Sequence, residues 1–190
     1  MHHFLALRPD GTTRDRLAAV ADRLRAWDLP ASWVHPEDYH LTVLFLGDLA
    51  AGDADFIPAA IDDVAASALR PQLRLAGLGA SGARGSGVQS APRAVFAAVE
   101  DHALACEGLH RDLASCLEET PRSPFVPHLT LCRPLAAAPH KQLFRDWPHL
   151  LEAHGLADWG PCTVDALVLY AANGTRDGSR YHALASWGLA

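Results

Sequence analysis

The chain has 190 residues, 49% of them hydrophobic, enough to bury a sizeable core in one domain or two small fused lobes. Its net charge of -6 at pH 7 and its pI near 5.9 argue against a protein that wraps long duplex nucleic acid, since that binding draws its affinity from many phosphate neutralisations. Any nucleic-acid contact is expected to be local.

The opening Met-His-His-Phe-Leu-Ala-Leu-Arg-Pro-Asp has no basic lead and meets Arg8 and Pro9 before an apolar stretch reaches signal-peptide length. Nothing later approaches a membrane span, so a cytoplasmic protein is expected. Residues 3–7 read as a short buried strand. Thr12 or Thr13 is placed to cap a helix running through Asp28, with Leu17, Val20, Ala21 and Leu24 on its inner side, and Pro30 ends that unit. Trp33 and Val34 open an extended segment, and residues 39–46 alternate as a strand until Gly47 and Asp48 break it. A helix over 53–69 leads to a strand at 73–78.

Residues 79–92 carry four glycines and three serines around Arg84, the composition of a loop. Beyond it the pattern predicts a strand at 94–99, a helix at 102–118, a strand at 125–132 and one or two short helices between 139 and 154. Strands at 163–171 and 180–186 close the chain, flanking the hairpin-type connection Asn173-Gly174-Thr175-Arg176-Asp177-Gly178. Each half thus supplies strands and a helix. The expected fold is α+β: one domain over residues 1–190, built as two lobes divided near residues 79–92, with antiparallel sheets lining a central cleft, helices outside and a pseudo-twofold arrangement.

The tripeptide His-Leu-Thr occurs at His40-Leu41-Thr42 and again at His128-Leu129-Thr130, whereas chance placement at this composition gives about 0.06 copies. Period-two strand geometry sends His40 and Thr42 to one face and Leu41, Val43 and Phe45 to the other; the second segment follows the same rule and would place Cys132 with His128. Two such strands can bring two imidazoles to opposite sides of one phosphorus. In-line displacement at a cyclic phosphodiester needs a base for the attacking water and an acid for the departing ribose oxygen, and imidazole serves either role near neutrality. Threonine hydroxyls can donate to the non-bridging oxygens, and Arg133 can supply a cation. Against this stands the plainer reading of two core histidines satisfied by backbone carbonyls.

These residues resemble the two-histidine phosphoesterases, and within them the bacterial and archaeal RNA 2′,3′-cyclic phosphodiesterases once named 2′-5′ RNA ligases. The likeness runs from Phe4-Leu5-Ala6-Leu7 through Trp33-Val34 and the stretch from Glu37 to Gly47, then through Pro92-Arg93-Ala94-Val95-Phe96, Pro127-His128-Leu129-Thr130-Leu131-Cys132-Arg133, Val168-Leu169-Tyr170 and Arg180-Tyr181. It implies a bilobal fold, no metal, and opening of a terminal 2′,3′-cyclic phosphate to a 2′-phosphate, with 2′-5′ ligation as the reverse. His40 would protonate the leaving 3′ oxygen, His128 would activate water, and Thr42, Thr130 and Arg133 would bind the phosphate, with the two histidine roles exchangeable in a near-symmetric site. The chain departs from the family at Leu44 and Val126, where relatives often carry a basic residue.

Phe125 and Tyr181 are candidates for stacking on the terminal base, against the plainer role of core packing. His35, His102, His110, His140, His149, His154 and His182 show no metal-ligand spacing and read as surface or turn residues. Arg84 is a candidate lid contact or a solvated loop charge. Gly85-Ser86-Gly87 lacks a third glycine, so no nucleotide cofactor is expected. The four cysteines, Cys106, Cys116, Cys132 and Cys162, contain no Cys-x-x-Cys pair and read as free thiols. RNA ends or small cyclic nucleotides are the expected substrates of an expected monomer. The alternatives are an RNA-end binding module without turnover, an enzyme acting on another cyclic or 2′-5′ nucleotide, and a metal-dependent phosphatase.

Overall fold

The computed structural model describes residues 2–26, 31–50, 52–81, 93–120, 124–135, 157–172 and 180–189. The expected helices between 139 and 154, the 173–178 connection and Arg84 lie outside them.

Strand β1 (His2–Pro9) is buried along nearly its whole length, and helix α1 (Gly11–Arg25) follows it. Its cap is Asp10, just ahead of the threonines expected: the Asp10 carboxylate accepts from the Thr13 amide at 2.7 Å, and carboxylates are strong N-caps. Thr13 is fully buried instead, and its hydroxyl accepts from the Thr163 amide at 3.0 Å. Leu17, Val20, Ala21 and Leu24 form the buried stripe of α1 as the spacing predicts.

A short strand β2 (Ala31–Trp33) and a 3-10 turn (Pro36–Asp38) precede β3 (Leu41–Asp48). Tyr39 and His40 therefore stand just before the strand that was expected to include them. Gly47, at φ +73°, sits inside the strand beside a register irregularity instead of ending it. The predicted helix at 53–69 resolves into a 3-10 turn (Asp53–Asp55) and α2 (Ile57–Ser67). Strand β4 (Leu73–Ser81) runs three residues further than expected, and β5 (Ala94–Glu100) follows. Helix α3 (Ala105–Cys116) starts later than predicted because Asp101 caps it, accepting from the Ala105 and Cys106 amides. Then come β6 (His128–Pro134), an unanticipated β7 (Asp158–Cys162), β8 (Val164–Ala172) and β9 (Tyr181–Gly188).

All nine described strands join one antiparallel sheet in the order β7-β4-β5-β6-β3-β1-β8-β9, with β2 paired to β6 off this path. The sheet curls into a half-barrel, and the architecture is α+β as expected. Its order reads as two four-strand halves, β7-β4-β5-β6 and β3-β1-β8-β9, meeting between the two His-Leu-Thr strands. The halves interleave in sequence: β4 pairs with β5 and β7, while the C-terminal β8 pairs with β1.

Two apolar clusters lie on opposite faces of β1. Leu5 and Leu7 belong to the main core, with Leu17 and Leu24 of α1, Ile61 of α2, Leu113 of α3, and Leu41, Leu129 and Leu131 of the central strands. Phe4 and Ala6 point the other way and join Ala166, Val168 and Tyr170. The helices therefore cover one face and leave the other for the polar residues of β3 and β6. Among the described residues no helix is long and apolar enough to cross a membrane.

Among the described residues the two halves of the sheet are joined through one register pair, Leu41 opposite Leu129, both fully buried. Leu129→Ala is expected to cost about 2–5 kcal/mol, because the cavity lies between sheet halves that cannot close over it; urea unfolding measures the loss.

Candidate active site

The register pair Leu41–Leu129 determines the geometry of everything polar around it. In an antiparallel ladder the residue after one strand's position faces the residue before the other's. Continued by one residue each way, the register sets His40 across from Thr130 and Thr42 across from His128, all four on the face away from the helices. The two histidines are then diagonal neighbours, roughly 7–8 Å apart at the backbone. Both rings lie on that face, and His128 and Arg133 are close enough to act on the charge of His40. The four polar side chains are partly exposed while Leu41 and Leu129 between them are buried, the alternation that the motif predicts.

Each imidazole is oriented by the same contact. His40 Nδ1 lies 2.6 Å from the carbonyl of Asp38, and His128 Nδ1 lies 2.8 Å from the carbonyl of Val126. A carbonyl only accepts, so Nδ1 carries the hydrogen in both rings, and Nε2 of the neutral form keeps its lone pair for the site. These contacts come from two residues upstream in each case.

A β-bulge follows each threonine. On β3 the partners of Leu5 and Ala6 are Leu44 and Thr42, which leaves Val43 as the extra residue; on β6 the partners of Val95 and Phe96 are Cys132 and Thr130, which leaves Leu131. A bulge inverts the alternation beyond it. Leu44 is buried in the core and Phe45 turns out to solvent, the reverse of the strict two-residue expectation, so the absence of a basic residue at Leu44 removes no charge from the site's face. On β6 the inversion buries Cys132, which was expected on the His128 face, and places Arg133 on that face in its stead. Burial pushes the Cys132 thiol up to about 12, so it has no thiolate to offer. The carbonyls released by the bulges are taken up locally: Val34 N–H donates to Leu131 at 2.9 Å, and His110 Nδ1–H donates to Val43 at 2.7 Å.

His110 is thus a buried anchor between α3 and the bulge of β3, not the surface residue expected. Phe125 stacks on it, ring centroids 4.9 Å apart, and both line a groove of about 300 Å³ with Thr42, Phe45, Val126 and His128. Tyr181 lies on the opposite side. It meets His40 and Phe4 edge-on, with centroids 5.0 Å away from each, and lines a second groove of about 260 Å³ with Arg133, Arg180, Trp33 and Asp38. Phe125 and Tyr181 therefore flank the histidine pair on separate sides.

The environments of the two rings differ. His40 is packed by Phe4 at 4.8 Å and by Tyr170 and Tyr181, and burial among them, with the His128 and Arg133 charges adding, pushes its pKa down to about 4 against the Asp38 carbonyl, which favours the protonated ring. His128 meets the Phe96 ring at 4.8 Å. That ring lies over Gly79, where an added Cβ would meet its edge and force the ring to shift. Asp38, buried, accepts from the Arg180 backbone N–H at 2.7 Å and so steadies the turn whose carbonyl orients His40. Phe4, Tyr170, Phe96 and Asp38 lie in the segments that carry the family likeness, but none was singled out as a site residue, because hydrophobicity and turn propensity alone account for them in the sequence. Among the described residues no group of three or more His, Cys, Asp or Glu side chains is arranged to hold a metal ion.

Comparison with known proteins gives three results. Residues 7–88 match the family model described as LigT like Phosphoesterase. Over 137 residues the chain is 35% identical to the RNA 2′,3′-cyclic phosphodiesterase of Geobacillus stearothermophilus, a stretch covering 70% of this chain and 41% of that protein, so the chain spans less than half of that relative's length. Among solved structures it is similar in fold to TT0787 of Thermus thermophilus, at TM-score 0.74 and 23% identity over 100% of this chain and 98% of that one. It is likewise similar to Escherichia coli LigT complexed with 3′-AMP, at TM-score 0.68 and 21% identity over 99% and 97% of the two chains.

The depressed His40 pKa has a consequence for stability. Between pH 6.5 and about 4 the unfolded chain binds a proton at this ring that the folded chain refuses, so stability falls as pH drops through that window and the ring's contribution levels off below it. Urea unfolding between pH 4 and 7 is expected to show this slope, flattened in His40→Ala. Nitrogen-15 NMR should find His40 as the Nδ1–H tautomer with a midpoint near 4.

Proposed function

We propose that the chain, which matches the LigT-like phosphoesterase model over residues 7–88 and shares the fold of TT0787, hydrolyses RNA 2′,3′-cyclic phosphate ends to 2′-phosphates by paired general acid and base catalysis. The observation that carries the reading is the matched pair of imidazoles, each held by Nδ1 to a carbonyl two residues upstream and each diagonal to the other across the Leu41–Leu129 junction.

The step follows from that geometry. The cyclic phosphate lies in the gap with its phosphorus between the two Nε2 atoms. His128 takes a proton from water as the water oxygen bonds to phosphorus, and His40 gives a proton to the 3′ oxygen as its bond to phosphorus breaks, leaving the 2′-phosphate. Thr42 and Thr130, each across from the opposite histidine, donate to the non-bridging oxygens, whose charge grows in the transition state. Arg133, turned to this face by the bulge, adds a cation. Ligation, where it occurs, runs the same path backwards with the two rings exchanging roles.

His40 is neutral at pH 7 in the empty site, and the phosphate supplies what the acid role requires. An anionic diester beside Nε2 favours the imidazolium, so substrate binding raises the pKa toward the working range. No step in this scheme requires a metal, and the reading predicts that activity persists in EDTA; activity abolished by chelation would favour a metal-dependent phosphatase instead.

His40→Ala and His128→Ala are each expected to lower kcat by about 10²–10⁴-fold on a 2′,3′-cyclic nucleotide while the fold is kept. A diester with a nitrophenolate leaving group needs no acid, so on it His40→Ala should regain activity and His128→Ala should not. Tight binding of cyclic-phosphate RNA by the wild type without product would instead assign an end-binding module.

The rate should trace a bell against pH, since one ring must be protonated and the other free. The alkaline limb, where the ring that must be protonated loses its proton, is the one that binding moves: it should lie higher in kcat than in kcat/KM, because the bound phosphate holds the proton on His40. An alkaline limb that does not move removes the substrate-assisted protonation of His40.

A further inference from the structure

The backbone of the site is close to twofold, but its charges are not. Position for position after the threonines, the bulges bring Phe45 to the site's face on β3 and Arg133 on β6. The grooves beyond them differ in the same sense. The one beside Phe45 has no Arg or Lys among its described lining residues, whereas the one beside Arg133 is lined by Arg25, Arg133 and Arg180. In a chain of net charge -6 with 16 Lys and Arg in all, this groove is lined by three guanidinium groups and one carboxylate, Asp38, with Arg25 already paired to Asp22 outside the lining.

Two of these cations are held near each other. Ser32 is the cross-strand partner of Arg133, and its hydroxyl accepts from the Arg180 guanidinium at 2.9 Å. Directly opposed residues have Cβ atoms about 4.5–5.5 Å apart, so the Arg180 head is pinned about one residue's width from the base of Arg133. Like charges assembled on one solvent-open face repel, and an anion that fits between them relieves the repulsion.

We propose that Arg180 binds the phosphodiester on the 5′ side of the terminal nucleotide, so that the RNA strand leaves the catalytic gap along the arginine groove and the preferred substrate is an oligonucleotide end over a cyclic mononucleotide. This rests on the phosphodiesterase reading above and adds to it a direction for the strand and a second phosphate site.

The test compares three probes: 2′,3′-cyclic AMP, a diadenosine with a 2′,3′-cyclic phosphate end, and the same dinucleotide with an uncharged methylphosphonate at its internal linkage. In the wild type the charged dinucleotide is expected to exceed the other two by about 10-fold in kcat/KM, the scale of one charge-assisted contact. Arg180→Gln keeps the backbone N–H that Asp38 uses. It should leave the cyclic AMP rate unchanged, erase the gain and flatten the log kcat/KM against log salt slope for the dinucleotide by about 0.7, one single-strand contact. Equal rates on the two dinucleotides, or a gain that survives in Arg180→Gln, overturn the proposal. Arg180 is exposed, so the variant is expected to fold; should it not, Ser32→Ala, which releases the guanidinium, must show the same selective loss. If the wild type hydrolyses none of the probes, the phosphodiesterase reading fails by itself. Equilibrium binding of the two dinucleotides then decides the groove, equal affinities overturning it and a preference for the charged one that Arg180→Gln removes upholding it.

Discussion

The structure depends on a single antiparallel contact between two leucines. Leu41 and Leu129 are the middle residues of the two His-Leu-Thr tripeptides, and their pairing is the register link between the halves of the sheet. Being buried on the helix side, they leave the residues before and after them no choice but the other face. The antiparallel sense then puts a histidine opposite a threonine twice over. Core and site are therefore the same few residues read in alternation, and a shift of one position would lose both together.

The bulges after Thr42 and Thr130 set the limit of that alternation. A regular strand would bury the side chain of residue 133 and expose the thiol of residue 132; the extra residue at Leu131 exchanges them. Each bulge frees a carbonyl, and each is secured from a different element, α3 through His110 on one side and the Val34 amide on the other. The twofold character of the backbone thus coexists with unequal surroundings. Phe4, Tyr170 and Tyr181 enclose one ring, while Phe96, in the space that Gly79 leaves, lies against the other. Identical tripeptides thus place their rings in different surroundings, and burial in one of them pushes the His40 pKa down.

Much of this was legible in the residues. The repeated tripeptide names its own strands, and the apolar spacing of α1 names its buried face, because both signals are local and periodic. What escaped was set at a distance. Thr12 and Thr13 are as good a cap as Asp10 on paper, and only the docking of Thr13 against Thr163 decides between them. His110 looked like one more polar residue on a helix until the Val43 carbonyl came to meet it. Strand β7, with Gly160 at φ +90° and Pro161 within it, has a composition that reads as loop and owes its strand geometry to pairing with β4. The interleaving of the halves could not be read from chain order at all, since β8 returns from the far end of the sequence to pair with β1.

On the proposed reading the low pKa of His40 looks at first like a poor property for an acid, yet it follows from the demands on an empty site. Two imidazolium rings on one face, with Arg133 beside them, would concentrate positive charge in a partly desolvated cleft. Burial against Phe4 and the two tyrosines removes that cost by holding the His40 pKa down. In the proposed reaction the proton would come on with the substrate, so the charge that would destabilise the free protein would exist only where an anion balances it. A ring in water would need no such help to be protonated, but it would share its proton with solvent, whereas a ring that gains it on binding would hold it against the oxygen that must leave.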